Sequence, residues 1–379
     1  MRIMISCGEA SGDLYAGALA TALRVQAPEV ELFGLGGDRL RAAGATLVGD
    51  FAGLAVTGLT EAVRVLPRSY ATYRRLVTAA RERRPDVCVV IDFPDFNFRL
   101  MAAMRRLGVP VVYYISPQLW AWRPGRMQTM RRFVDKVLVI FPFEAPLYEK
   151  AGVPVQHVGH PLVDLVQTAQ TRPVFLGDLG LAPEAPTVAL LPGSRPNEVQ
   201  RMVPGLAAAI PLIRSRVDGV QFVVAAAPSL STDVFDPLTA QGAVLVHHRA
   251  DDVLASSDVV VTASGTATVQ AALHERPMVV VYRVSPLTYW LGKSFLKVDT
   301  FAMPNLVAGR RIVPELIQDD FTPDRVAEET VGLLTDAARR AQTSEALRRV
   351  REQLGAPGAS GRAAAAVLDV VAGASRRAP

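Results

Sequence analysis

Short, unbroken apolar runs recur along the chain, separated by longer periodic segments, and this alternation limits the fold more than any other feature. Val87 to Ile91 reads Val-Cys-Val-Val-Ile and Thr187 to Leu191 reads Thr-Val-Ala-Leu-Leu, with no polar residue at alternate positions. A strand that is apolar at every position must be covered on both faces, the condition of a parallel sheet layered between helices. In the first half the strand candidates are Arg2 to Cys7, Val30 to Phe33, Val87 to Ile91, Val109 to Ile115 and Lys136 to Phe141. Helix is expected over Gly12 to Gln26, over a long stretch ending at Arg84, and from Arg99. The second half repeats the plan with Thr187 to Leu191, Gln221 to Ala225, Val244 to Val246, Val259 to Thr262 and Met278 to Tyr282.

At 379 residues the chain exceeds one ordinary core, since domains run to roughly 100–200 residues. The sequence therefore predicts an α/β protein of two doubly wound, Rossmann-like domains facing a cleft. The expected boundaries are 1–165 for the first domain and 166–354 for the second, with a hinge in the polar, proline-bearing segment Leu162 to Pro186. Residues 355–379 open on Gly-Ala-Pro-Gly-Ala-Ser-Gly and read as a flexible joint to an alanine-rich docking helix.

Several function classes are excluded early. No apolar run approaches the roughly 18–20 residues of a spanning helix, and Gly8-Glu9 cut short the apolar start that a signal peptide would need, so a cytoplasmic location is expected. Cys7 and Cys88 both lie in apolar strand-like runs and read as buried thiols. Five scattered histidines without paired spacing give no metal site. Between 60 and 136 there are 15 basic side chains against six acidic ones, a net of +9 where the whole chain carries +5. That cluster is either a solvated helix face or a surface for anionic lipid headgroups. No nucleic-acid module is visible.

In open α/β sheets ligands bind beyond the carboxyl ends of the strands, and four motifs fall there. Gly8-Glu9-Ala10-Ser11-Gly12-Asp13 follows the opening strand, where a helix N-terminus can face a ligand or where Ser11 and Asp13 serve only as caps. Asp92-Phe93-Pro94-Asp95-Phe96-Asn97 follows a buried strand; Asp92 is placed to take a proton from a hydroxyl, while Asp95 reads as a structural cap. Leu190-Leu191-Pro192-Gly193-Ser194-Arg195 offers an arginine for a diphosphate, and Ser264, Gly265, Thr266 and Thr268 begin a helix suited to cradling phosphate. Between 116 and 126, Trp120 and Trp122 stand beside Arg123 and Arg126; they either anchor a loop or meet an anionic glycolipid.

Taken in order, Gly8 to Asp13, Ile91 to Asn97, Ser116 to Arg123, Leu191 to Arg195, Ser264 to Thr268 and Pro304 to Arg310 resemble the lipid-A-disaccharide synthase family over nearly the whole chain. The resemblance implies an inverting, metal-independent glycosyltransferase of the two-Rossmann-domain GT-B type that needs no cofactor. Such an enzyme joins UDP-2,3-diacylglucosamine to 2,3-diacylglucosamine 1-phosphate, giving a β-1,6-linked disaccharide and UDP at the inner face of the cytoplasmic membrane. Its partners would be the UDP-sugar donor, the glycolipid acceptor and an anionic membrane surface, but no nucleic acid; a homodimer through the alanine-rich tail is one expectation for assembly. Carried over by motif, Asp92 is the base, Glu9 and Ser11 line the acceptor side, Arg195 faces the UDP phosphates and Asn305 lies near the donor.

The chain departs from the family pattern in places. Gln270 stands where the family has glutamate, keeping an acceptor for ribose hydroxyls but losing the charge, and Thr57 and Thr60 replace apolar residues. Two other readings follow: a UDP-sugar epimerase of the same architecture, or a catalytically silent UDP-sugar or lipid-binding protein.

Overall fold

The computed structural model describes residues 1–375 apart from 53, 55–58, 118, 120–124, 229 and 285–299, with backbone alone at 59–64 and 375. It divides the chain into two compact units, one built from Met1–Pro161 and the segment from Leu354 onward, the other lying within Leu162–Gln353.

The first unit carries seven strands: β1 (Arg2–Ser6), β2 (Glu31–Gly36), β3 (Thr46–Asp50), β4 (Val87–Ile91), β5 (Val111–Tyr114), β6 (Lys136–Val139) and β7 (Val155–His157). They pair in the order β3-β2-β1-β4-β5-β6-β7, every pair parallel. Ile3, Met4 and Ile5 in β1 and all five residues of β4 are buried, as unbroken apolar runs require of strands covered on both faces. The chain order turns between β1 and β4, so the segments leaving those two strands come out side by side. Helix α1 (Ala10–Gln26) follows β1, α2 (Asp38–Ala42) follows β2, α3 (Leu59–Arg83) precedes β4, and α4 (Pro94–Arg106) follows it.

The second unit has six strands, β8 (Thr187–Leu191), β9 (Gln221–Ala226), β10 (Val244–His247), β11 (Val259–Ala263), β12 (Met278–Tyr282) and β13 (Glu315–Ile317). Their order is β10-β9-β8-β11-β12-β13, again parallel throughout, with the turn between β8 and β11. The helix Pro196–Arg214 packs Val199, Met202, Val203, Leu206 and Ile210 against this sheet.

Three strands escape the pattern of apolar runs. β3, β7 and β13 are short and lie at the outer ends of their sheets, where partly exposed residues such as Thr46, Gln156 and Glu315 are tolerated because only part of the strand is covered. β3 also breaks the long helical stretch expected before Arg84 into α2 and α3. Helix α4 begins five residues ahead of the expected Arg99, because Pro94 at the first helical turn needs no N–H partner.

The C-terminal helix Ala359–Ser375 packs on α1 of the same unit. Gln26 Nε2 donates to the Gly361 carbonyl at 2.9 Å, the amide of His160 donates to the Leu354 carbonyl at 2.8 Å, and Arg362 Nε donates to the Val158 carbonyl at 2.8 Å. Cys7 and Cys88 are buried and free, and burial pushes the Cys88 thiol up to about 12.

His160 is buried after β7, edge-on to Tyr15 at 6.0 Å and beside Phe141 at 5.3 Å. Burial disfavours the imidazolium and lowers its pKa to about 3. The folded state therefore refuses a proton that the unfolded chain accepts below about pH 6.5. The stability tied to the neutral ring is complete above that pH and is lost on acidification toward pH 3, by about 1.4 kcal/mol per unit. In urea titrations the first unit should lose about 2 kcal/mol between pH 7.5 and 5, and His160→Asn should remove most of that slope.

Candidate functional site

Two constellations form, one at the turning point of each sheet. In the first unit, Ser6 ends β1 and Ile91 ends β4, with Ser6 paired in register with Val90. Asp92 and Phe93 leave β4 at φ 43° and 48°, left-handed backbone that is costly for residues with a Cβ. This double turn lifts the chain off the strand line before Pro94 starts α4. Phe93 then lies on Gly8, where a Cβ would fall 2.1 Å from the ring, so only glycine fits beneath it. The glycine-bearing loop after β1 and the aspartate loop after β4 are thereby packed together.

Buried polar groups fix both loops. Asn97, wholly buried on α4, accepts from Ser6 Oγ at 2.8 Å and donates through Nδ2 to the Asp92 carbonyl at 2.7 Å and the Ile91 carbonyl at 3.2 Å. The Tyr113 hydroxyl donates to the same Asp92 carbonyl at 2.8 Å. Burial and the nearby Asp92 charge hold the Tyr113 phenol well above its ordinary range, so it stays a donor. Asp13 accepts the amides of Gly37 at 2.7 Å, Arg39 at 2.9 Å and Leu40 at 3.2 Å, closing the start of α2. Asp95 is exposed and paired with Arg126; it lies within the first turn of α4, whose cap position is Phe93 and not the expected Asp95. Glu9 and Ser11, both half-buried, stand at the N-terminus of α1 beside the Asp92 turn, and Glu9 makes no side-chain capping bond there. Asp92 itself is half-buried.

In the second unit the segments after β8 and β11 adjoin: a Cβ on Gly193 would lie 3.8 Å from that of Ala263 and 3.2 Å from that of Glu198. Arg195 occupies the cap position of the helix Pro196–Arg214 and pairs with Glu198 at 2.6 Å. Tyr282 donates to Glu198 at 3.4 Å, and burial together with the Glu198 charge pushes its phenol up to about 12. The guanidinium is therefore held by a buried carboxylate rather than left to sweep through solvent.

Across the turning point, Gly265 caps the helix Thr266–Leu273 at φ 146°, and among the described residues a Cβ there would meet nothing within 4 Å, so the space beside Gly265 is open. Ser264 and Thr266 flank it, half-buried, with Ser264 Oγ donating to the Phe301 carbonyl at 3.1 Å. Gln270, a turn further along, reaches Asp251 Oδ1 at 3.5 Å, and His274 Nε2 lies 3.2 Å from the same oxygen.

Two of the expected ligand residues are engaged within the protein. Thr268 is fully buried and donates to the Gly265 carbonyl at 2.7 Å, which shapes the loop. Asn305 is equally buried: Oδ1 accepts the amides of Ile312 at 2.7 Å and Val313 at 3.0 Å, while Nδ2 donates to the Val313 carbonyl at 3.0 Å and to Glu315 at 2.6 Å. Its hydrogen-bonding capacity is filled within the protein. Trp120, Trp122, Arg123 and Thr57 lie outside the described residues, as does the side chain of Thr60. Asn97, Tyr113, Glu198, Tyr282 and Asp251 were not expected as site residues. Only Glu198, three residues beyond Arg195 on one helix face, carried a readable signal.

A family model described as lipid-A-disaccharide synthetase matches residues 3–370. The lipid-A-disaccharide synthase of Myxococcus xanthus is 44% identical over 373 residues, covering 98% of this chain and 97% of that one. That of Geobacter metallireducens is 45% identical over 377 residues, with 98% and 97% covered. Among solved structures, UDP-GlcNAc 2-epimerase from Neisseria meningitidis bound to UDP-GlcNAc superposes with a TM-score of 0.66 at 12% identity, covering 97% of this chain and all of that one. CalG4, the calicheamicin glycosyltransferase, does so with 0.60 at 18%, covering 100% and 99%. These likenesses show the two-Rossmann-domain GT-B fold. The chain belongs to the lipid-A-disaccharide synthase family.

The contacts of Asn305 separate a structural role from a binding one. Asn305→Ala would leave buried amides and a carboxylate unpartnered and should cost about 2–4 kcal/mol of stability, with UDP affinity of the folded fraction unchanged. Thermal unfolding alongside calorimetric titration of UDP checks both halves.

Proposed function

We propose that this family member works as a glycosyltransferase that condenses UDP-2,3-diacylglucosamine with 2,3-diacylglucosamine 1-phosphate, with Asp92 as its general base. Membership across residues 3–370 carries the reading of the overall reaction. For the role of Asp92, the supporting observation is its carboxylate at the turning point of a parallel sheet, on backbone held out of its relaxed conformation. The acceptor 6-hydroxyl gives its proton to Asp92 while its oxygen bonds to the donor's anomeric carbon. The bond from that carbon to the UDP oxygen breaks, and UDP leaves with the electron pair.

In the second unit, Arg195 and the open N-terminus of the helix Thr266–Leu273 meet the charge that grows on the departing diphosphate. Glu198 keeps Arg195 at its post, and Gln270 offers its amide oxygen to the ribose while its amide nitrogen faces Asp251. A glutamate at 270 would put a second carboxylate against Asp251, which gives a physical reason for glutamine in this chain. The same fold in an epimerase is no argument for epimerisation here, because likeness at 12% identity speaks only for architecture.

The first unit is also the one we assign to the membrane. No helix among the described residues is long and apolar enough to cross a bilayer. On α3, Arg68, Arg74, Arg75 and Arg81 are exposed together with Leu66 and Tyr70, as is Arg84 just beyond its end, and a groove of about 450 Å³ between β3 and α3 is lined by Arg74, Arg75 and Arg83. Basic side chains with apolar neighbours suit reversible attachment to an anionic leaflet, the cytoplasmic face in this reading.

The decisive assay is UDP release from UDP-2,3-diacylglucosamine with and without the lipid acceptor. Release should require the acceptor, and Asp92→Asn should cut turnover by about 10² or more while UDP still binds. Acceptor-independent release, or normal turnover by Asp92→Asn, would remove this assignment. In vesicle sedimentation, the protein should bind membranes containing anionic lipid at low salt and leave them at high salt, each exposed arginine near the surface contributing about 1 kcal/mol.

A further inference from the structure

We propose that Asn97 and Tyr113 clamp the Asp92 carbonyl and thereby aim the Asp92 carboxylate, making both positioning residues for the transfer step. The inference rests on Asp92 being the base. One carbonyl accepts two side-chain donors, Asn97 Nδ2 at 2.7 Å and the Tyr113 hydroxyl at 2.8 Å, and both donors are buried. The oxygen has two lone pairs, and two donors held on different elements, α4 and β5, fix its direction where one would leave it free to swing. The plane of this peptide is set by the torsions on either side of it, which belong to Asp92 and Phe93, the two consecutive left-handed residues. Such residues cost of order 1–3 kcal/mol each and persist only where the surroundings over-determine them.

The surroundings here do so from three sides. Asn97 Oδ1 accepts from Ser6 Oγ, which fixes the amide so that Nδ2 must face the carbonyls of Ile91 and Asp92. Tyr113 reaches the same carbonyl from β5, the strand next to β4. The Phe93 ring is seated on Gly8 and stacked on Phe96 at 5.3 Å. Neither clamp residue is exposed, so neither touches substrate; their effect passes through the backbone of Asp92. A general base must lie within about 2.6–3.2 Å of the proton it takes, and a displacement of about 1 Å is worth roughly 10²-fold in rate.

The test is UDP release with the lipid acceptor by Tyr113→Phe, Asn97→Asp and Asn97→Ala, each alone and combined with Asp92→Asn. Tyr113→Phe deletes only a hydroxyl and should keep the fold, with kcat lowered about 5–20-fold at unchanged donor KM. Asn97→Asp keeps the acceptor for Ser6 but loses both donations, and it should be as slow as Asn97→Ala, about 10²-fold down. Combined with Asp92→Asn, none of the three should slow turnover further, because a clamp has nothing to aim once the base is gone. Normal kcat in Tyr113→Phe and Asn97→Asp overturns the clamp while leaving Asp92 as base. Losses that persist in full on the Asp92→Asn background overturn it too, reducing both residues to structural supports. Normal turnover by Asp92→Asn alone overturns the base reading and the clamp with it.

Discussion

Parallel pairing of strands far apart in sequence, β1 with β4 and β8 with β11, is the constraint on which everything else depends. The central residues of each of these strands are apolar and buried, so the strand can only be interior, with helices on both faces. Right-handed crossovers then send the chain to opposite faces on either side of the turning point. The loops leaving the two central strands come out side by side at the carboxyl ends, the edge where open α/β sheets bind ligands. Asp92 with Glu9 in one unit, and Arg195 with Gly265 in the other, stand at those places for that reason.

The loops at these edges are stiffened by polar side chains that have left water altogether. Asp13 gathers three backbone amides at the start of α2, Asn97 ties the ends of β1 and β4, and Asn305 with Glu315 pins 300–302 to 312–313. A buried polar group that is fully bonded costs little, whereas losing one partner strands the others without water, at about 1–3 kcal/mol each. Such residues make a loop rigid in a way that apolar packing does not, because their bonds are directional.

Charge is handled in the same manner. Arg195 faces Glu198, Arg249 faces the buried Asp252, and Gln270 brings a neutral amide to Asp251. In the proposed diphosphate site a lone cation would be free to move, and pairing it with a buried carboxylate sets its position beforehand. The cost is that the pair starts nearly neutral. Attraction for an anion then leans on the helix N-terminus at Gly265 as much as on the arginine.

Much of this was determined by the sequence alone. Unbroken apolar runs forced parallel sheets and two Rossmann-like units, and polar turns placed directly after strands marked Glu9, Asp92, Arg195 and Gly265 as edge residues. Those are local patterns, written in neighbouring residues. The short outer strands β3, β7 and β13 were not legible, since three to five partly polar residues carry no period. Nor could Asn305 or Thr268 be told from ligand contacts, because a polar side chain near a motif looks the same whether it faces solvent or carbonyls. Tyr113 reads as one more apolar strand residue until β5 is laid beside β4 and its hydroxyl meets the Asp92 carbonyl. Chemistry that depends on which residues face each other across a sheet, or on which bonds a buried amide has already made, is a property of register and burial. Only the tertiary structure decides those, because contacts between residues tens of positions apart are fixed when the strands pair and by nothing local to either one.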